Sequence, residues 1–129
     1  MEIFRVSEQR TQPQQIYITT ALDGVVKDKD AFHMHKKQTD SFCCVKGSIL
    51  LVLVNPEIGE VVELRMGEFN PHLVTIPPGI LHAFKSLCGE SIVVNCIDHE
   101  YNKDDPDEFR VPNIYYDWEE ERACLQKLS

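Results

Sequence analysis

The chain has 129 residues, enough for one domain with a real core, and its 43% hydrophobic, 26% charged composition is that of a soluble globular protein. A formal charge of −8 argues against broad contact with nucleic acid or an anionic membrane surface, while leaving room for a local basic pocket that takes a phosphorylated small molecule. The longest unbroken apolar run, Ile49–Val54, is far too short for a bilayer, and the opening Met-Glu-Ile-Phe-Arg lacks a signal-peptide pattern, so a cytoplasmic protein is expected.

Short runs of apolar and β-branched residues separated by turn residues predict an all-β sandwich or barrel. Strands are expected at Gln15–Thr20, Ala31–His35, Asp40–Val45, Ser48–Val54, Val61–Met66, Leu73–Ile76, His82–Ser86 and Ser91–Asp98. Lys46-Gly-Ser48, Asn55-Pro-Glu-Ile-Gly59, Asn70-Pro71, Pro77-Pro-Gly79 and Cys88-Gly-Glu90 read as the turns between them. Residues 102–107 form an acidic loop, and the stretch 117–128 reads as a short C-terminal helix. Asp117 can cap that helix, glutamates lie near its positive end, and Trp118, Leu125 and Leu128 recur on one face. With no internal repeat, residues 1–129 make a single domain.

The five cysteines (Cys43, Cys44, Cys88, Cys96, Cys124) are odd in number and lack CxxC spacing, so they read as reduced, mostly core thiols. The strand Ile49–Val54 is apolar on both faces. One face belongs to the core, and the other needs a cover. A second copy of the chain is the expected cover, hence a homodimer, with the C-terminal helix as the other candidate.

The segment His33-Met-His-Lys-Lys-Gln-Thr-Asp40 carries the chemistry. Residues two apart on a strand project to one side, so His33 and His35 stand together. Gly47 then closes a hairpin, and Ile76-Pro-Pro-Gly-Ile-Leu-His82 delivers a third histidine at a strand start. His72 and His99 read as turn and surface residues.

These segments resemble the two signature motifs of the cupin superfamily, an HxH with an acidic residue and a glycine, then PxG with a histidine three residues on. The resemblance implies a double-stranded β-helix, or jelly roll. Its departure is Asp40, where metal-binding cupins usually carry glutamate. Three histidines and a carboxylate can hold a divalent metal, with His33, His35, His82 and Asp40 as ligands. Equally, the histidines can line a metal-free polar pocket as bases and hydrogen-bond donors, and on that reading no cofactor is expected.

From about Ile16 to Trp118 the chain also resembles the dTDP-4-dehydrorhamnose 3,5-epimerases and the shorter epimerase-like sugar cupins of polysaccharide biosynthesis. The similarity runs through Ile16-Tyr-Ile-Thr-Thr, Gly24-Val-Val-Lys, His33 to Asp40, Val74-Thr-Ile-Pro-Pro-Gly-Ile-Leu-His-Ala-Phe, Asn95 to Tyr101, Asp107-Glu-Phe-Arg110 and Tyr116-Asp-Trp118. It implies proton abstraction beside a sugar ketone and return of the proton to the other face, which needs a positioned base and a group that holds the enolate oxygen. His33 falls on the family's base and His82 on its second pocket histidine. Lys27 falls near the substrate-contacting arginine, with Asp28–Asp30 as an insertion, and His35 and Tyr101 are further substrate-binding candidates. The family's acid, a tyrosine, falls on Asn95, whose amide can hydrogen-bond a ketone or enolate but cannot act as a phenol does. A family lysine falls on Asp40, and the carboxylate that orients the base lies in a longer C-terminal segment than Phe109–Asp117 offers.

Three readings follow. The leading one is an epimerase or isomerase of a 4-keto-6-deoxyhexose nucleotide, a single-base 3,4-ketoisomerase tolerating loss of the tyrosine better. The others are a metal-dependent enzyme on another small molecule and a non-catalytic carbohydrate-binding module. Lys36, Lys37, Lys85 and Arg110 read first as solvated charge, with phosphate binding as the other reading.

Overall fold

The computed structural model describes residues 12–119. Their regular structure is entirely β: β1 (Gln15–Ala21), β2 (Val26–Lys27), β3 (Ala31–Met34), β4 (Asp40–Asn55), β5 (Glu60–Gly67), β6 (Val74–Ile76), β7 (Leu81–Ile97) and β8 (Phe109–Pro112). Most of the helix expected over 117–128 lies outside the described residues. At its expected start, the Asp117 carboxylate accepts the Glu119 amide at 3.0 Å.

Two long strands organise the molecule, and each takes part in both layers of a sandwich. The second half of β7 runs between β1 and the first half of β4, which pairs outward with β6; this is the first sheet. The first half of β7 runs between the second half of β4, flanked by β5, and the pair β2 and β3, with β8 beyond β3. That is the second sheet, and every pairing is antiparallel.

The expected hairpin at Lys46-Gly-Ser48 is instead an irregularity inside one continuous strand, where the register of β4 against β7 shifts twice between Cys44 and Ser48. A bulge of this kind bends a strand without ending it. Gly47 permits it: its φ is +69°, and a Cβ there would lie 2.3 Å from the Glu90 carbonyl oxygen. Likewise Cys88-Gly-Glu90 is a kink within β7, with Cys88 and Gly89 both at positive φ. β2 and β8 went unread in the sequence because two- and four-residue strands carry almost no periodic signal.

Between the sheets Ala21, Phe42, Cys44 and Val93 meet Ile49, Leu51, Met66 and Phe84. The outer face of the second sheet has its own core, where Phe32, Leu50, Val52, Val54 and Leu81 pack with Trp118, Tyr115 and Tyr116. Both apolar faces of Ile49–Val54 are therefore covered inside one chain. The premise for a second subunit at that strand is removed, because the segment ending at Trp118 does the covering.

Candidate functional site

The second sheet places Arg110, His33 and His82 side by side, since His33 is the cross-strand partner of both other residues. The sheet pleat sends such partners to one face, here toward the facing sheet. His35 follows directly after β3, where its carbonyl accepts the Gly79 amide at 2.8 Å and ties the Pro-Pro-Gly turn to the histidine segment. The three imidazoles converge as the spacing predicts. Ring centroids are 5.0 Å apart for His33 and His35, 5.7 Å for His33 and His82, and 5.5 Å for His35 and His82.

Asp40 lies beneath them, 1% exposed. One of its carboxylate oxygens is 3.3 Å from His35 Nε2 and 3.2 Å from His82 Nε2, while the other accepts the Gln38 amide at 2.6 Å. The shorter aspartate thus reaches both rings. Burial alone would raise its pKa, but the bonds from His35 and His82 outweigh burial and hold it well below the usual carboxylate range.

His35 has acceptors on both sides. Its Nδ1 donates to the Asp107 carbonyl at 2.5 Å and its Nε2 faces Asp40. Burial pulls its pKa down, yet these acceptors win and the net shift is upward, so its surroundings favour the protonated ring. His82 is similarly framed, with Nδ1 3.2 Å from the Ile80 carbonyl. His33 differs. Burial lowers its pKa, Asp28 opposes that, and His82, His35 and Arg110 reinforce it. Its Nε2 is buried without a hydrogen-bond partner, while Nδ1 is 3.7 Å from an Asp28 oxygen and Nε2 is 4.0 Å from a Glu108 oxygen. A neutral imidazole with a nitrogen to spare is what a general base requires.

These groups line a cavity of about 310 Å³, with Lys27 and Asn95 also in its wall. The Asn95 carbonyl oxygen accepts the Ser41 amide at 3.1 Å. Part of its hydrogen-bonding capacity is thereby met by β4, and its amide N–H groups remain as donors. Tyr101 lines a neighbouring cavity of about 370 Å³. His72 and His99 are exposed and bond Asn70 and Asp98, as the sequence suggests.

For four residues the structure shows a place in the site that the sequence did not give. Tyr17 is the cross-strand partner of Asn95 and lines both cavities, which puts a phenol beside the amide. Burial, then Glu108, Tyr101 and Asp40, raise its pKa, so it keeps its proton. Asp107 is a clamp: its carboxylate accepts the backbone amides of Lys36, Lys37 and Gln38 at 2.8–2.9 Å while its carbonyl holds His35. Arg110 and Asp28 form an ion pair beside His33. Cross-strand register places Tyr17 and Arg110, while Asp107 and Asp28 are set by loop contacts.

Among the described residues, the donor atoms close enough to share an ion are those of His35, Asp40 and His82, all within 4.8 Å of one another; His33 stands outside this group. Two imidazoles whose Nδ1 atoms rest on carbonyls, plus one carboxylate, fit a divalent transition metal. The same atoms are also satisfied by bonding one another.

The sequence of residues 1–109 matches the family model described as polysaccharide biosynthesis C-terminal domain. A probable low-salt glycan biosynthesis epimerase, Agl13 of Haloferax volcanii, is 34% identical over 121 residues, covering 87% of this chain and 76% of the relative. Among solved structures, dTDP-4-dehydrorhamnose 3,5-epimerase from Sulfolobus tokodaii superposes with a TM-score of 0.77 at 29% identity, covering 91% of this chain and 70% of that one. A dTDP sugar isomerase from Desulfovibrio desulfuricans superposes with a TM-score of 0.83 at 25% identity, covering 98% and 83%. The fold is that of the cupin-type sugar epimerases.

Proposed function

Because the chain belongs to the polysaccharide biosynthesis C-terminal domain family, we propose that it is an epimerase or isomerase of a nucleotide-linked 4-keto-6-deoxyhexose, with His33 as the base. The observation that carries this reading is the unpartnered nitrogen of His33, an imidazole whose burial favours the neutral form, beside His35, whose acceptors favour the charged form, in a cavity of about 310 Å³. The name of Agl13 supports epimerase chemistry in glycan biosynthesis, and the names of the two superposed enzymes supply the nucleotide-sugar class.

In this reading His33 takes the proton from the carbon beside the ketone, and the electron pair moves onto the ketone oxygen. The resulting enolate is stabilised by the positive field of His35 and by the Asn95 amide, both strengthened once bound substrate displaces water from the cavity. Asp40 and Asp107 fix the rings, so the charge-bearing groups need not reorganise as the enolate forms. Tyr17, on the facing sheet, is the proton donor to the second face. Without such a donor the proton can return only from the base: to the same carbon it restores the starting configuration with exchange, and only delivery to the neighbouring carbon of an enediol would give isomerisation.

Incubation with a dTDP-4-keto-6-deoxyhexose in heavy water tests the reading by NMR. Deuterium should enter beside the ketone with wild type and not with His33→Ala. Absence of exchange with wild type as well would reject it for that substrate, and calorimetric binding without exchange would favour a binding module.

A second reading rests on the cluster of His35, Asp40 and His82. These three would hold a divalent ion, which would supply Lewis-acid stabilisation of an oxyanion. Metal analysis of untagged protein separates the readings; stoichiometric metal would favour this one. We also keep the homodimer as a proposal, now on other ground: Ile16 and Ile18 of the sheet-edge strand β1 are 58% and 71% exposed. Light scattering of the purified protein decides it. A cytoplasmic location belongs to the same reading, since the substrate is a soluble nucleotide sugar.

A further inference from the structure

We infer that Asp28 is a positioning residue for His33, masked by Arg110 until a ligand diphosphate draws the guanidinium away. The inference rests on the proposed role of His33 and adds a link between recognition of a nucleoside diphosphate and readiness of the base.

The geometry is a carboxylate shared between two claimants. Asp28 follows β2 in left-handed backbone, φ 68°, a conformation that aspartate and asparagine tolerate better than most residues. One of its oxygens is ion-paired with Arg110, and the other is 3.7 Å from His33 Nδ1. That second distance is just too long for a hydrogen bond. All three residues line the same cavity, and Arg110 is the direct cross-strand neighbour of His33. Asp28 is 22% exposed but Arg110 is 59% exposed, so the guanidinium can swing outward while the carboxylate stays.

Guanidinium binds phosphate oxygens with two parallel hydrogen bonds, a geometry that competes well with a single carboxylate contact. Once Arg110 turns to a diphosphate, Asp28 retains one partner within reach. A movement of well under an ångström closes the contact with His33 Nδ1. The carboxylate is acceptor-only, so it selects the tautomer with the proton on Nδ1. The lone pair is then on Nε2, the atom that has no partner in the structure. Glu108, 4.0 Å from Nε2, is the only other carboxylate ion-paired with this ring among the described residues, and it lies on the opposite nitrogen.

The test uses Asp28→Asn, which keeps the left-handed backbone, and Arg110→Met. Deoxythymidine diphosphate is the probe for calorimetry and for nitrogen-15 NMR of the His33 ring; a 4-keto-6-deoxyhexose nucleotide in heavy water is the probe for turnover. Asp28→Asn should bind the diphosphate severalfold more tightly, because Arg110 loses its internal competitor, yet lower kcat for exchange at least tenfold. Arg110→Met should weaken diphosphate binding at least tenfold and raise KM with kcat near wild type. Saturating diphosphate should move wild-type His33 to the Nδ1–H tautomer, and leave Asp28→Asn unmoved. Opposite signs on binding and kcat are not what a merely structural role produces. Unchanged or weaker diphosphate binding by Asp28→Asn, or a His33 tautomer indifferent to the diphosphate, would overturn the inference. Binding and tautomer are read without turnover, so absence of exchange by wild type would reject the proposed reaction and leave this link to stand or fall alone.

Discussion

Replacing Asp40 with asparagine keeps the shape of the side chain and removes the charge that three buried groups share. At 3.3 Å from His35 Nε2 and an effective dielectric of about 20, the gross attraction between carboxylate and imidazolium is about 5 kcal/mol. Desolvation of Asp40, which is 1% exposed, cancels part of that gain in the intact protein. Removing one partner does not recover it, because the cation is left buried beside a neutral amide; such losses run to about 3–5 kcal/mol. For a domain of this size that corresponds to a fall in Tm of roughly 10–20 °C. The sign with pH is also set. Asp40 has a lowered pKa in the fold, so its contribution is full above the ordinary carboxylate value of about 3.9 and fades as pH falls below it. His35 has a raised pKa, so its contribution is full below about 6.5 and fades as pH rises through the folded value. Urea unfolding of wild type and Asp40→Asn between pH 3 and 9, with and without chelator, measures the difference. The gap should be widest from about pH 4 to 6.5 and should ignore the chelator. A gap under about 1 kcal/mol throughout that window would refute the account of a charge-bonded cluster, and a gap that chelator abolishes would replace hydrogen bonding with metal as the cement.

The lowered pKa of His33 puts the acidic limb of the exchange rate against pH below the ordinary imidazole value of about 6.5, because the neutral ring is the active form; a limb above 6.5 would remove His33 as the base. Tyr17→Phe should keep deuterium entry while losing at least tenfold in inversion, read together in one NMR experiment, and equal loss of both would make Tyr17 a shape element only. Trp118→Ala should cost about 3–5 kcal/mol in urea unfolding, since Trp118 is 3% exposed against Leu50 and Val52; a loss below about 1 kcal/mol would mean that something else seals that face.

The histidine cluster was legible in the sequence because it depends on short-range rules. A two-residue spacing on a strand puts His33 and His35 on one side, and a Pro-Pro-Gly turn starts the strand that carries His82. Their meeting needed only that β3 and β7 be neighbours. The groups that tune the cluster follow a different logic. Tyr17 is 78 positions from Asn95, and Arg110 is 77 from His33; each pair is set by register, which no local pattern encodes. Asp28 depends on one left-handed residue after a two-residue strand. Glycine misled in the same way, since Gly47 and Gly89 look like turns but only bend strands that continue through them.

The aspartate at position 40 shows how such register decides chemistry. Aspartate is one methylene shorter than the glutamate that metal-binding cupins usually carry there. In the fold Asp40 opens β4, held between Ile76 of β6 on one side and Ile97 of β7 on the other. The backbone itself is therefore carried into the interior, under the imidazoles, and a short side chain suffices to bond two of them. The third, His33, is left without that carboxylate and without a partner for Nε2. Two rings are thereby committed to Asp40 and one is left free to accept a proton. The division of labour among three chemically identical residues follows from where one strand begins.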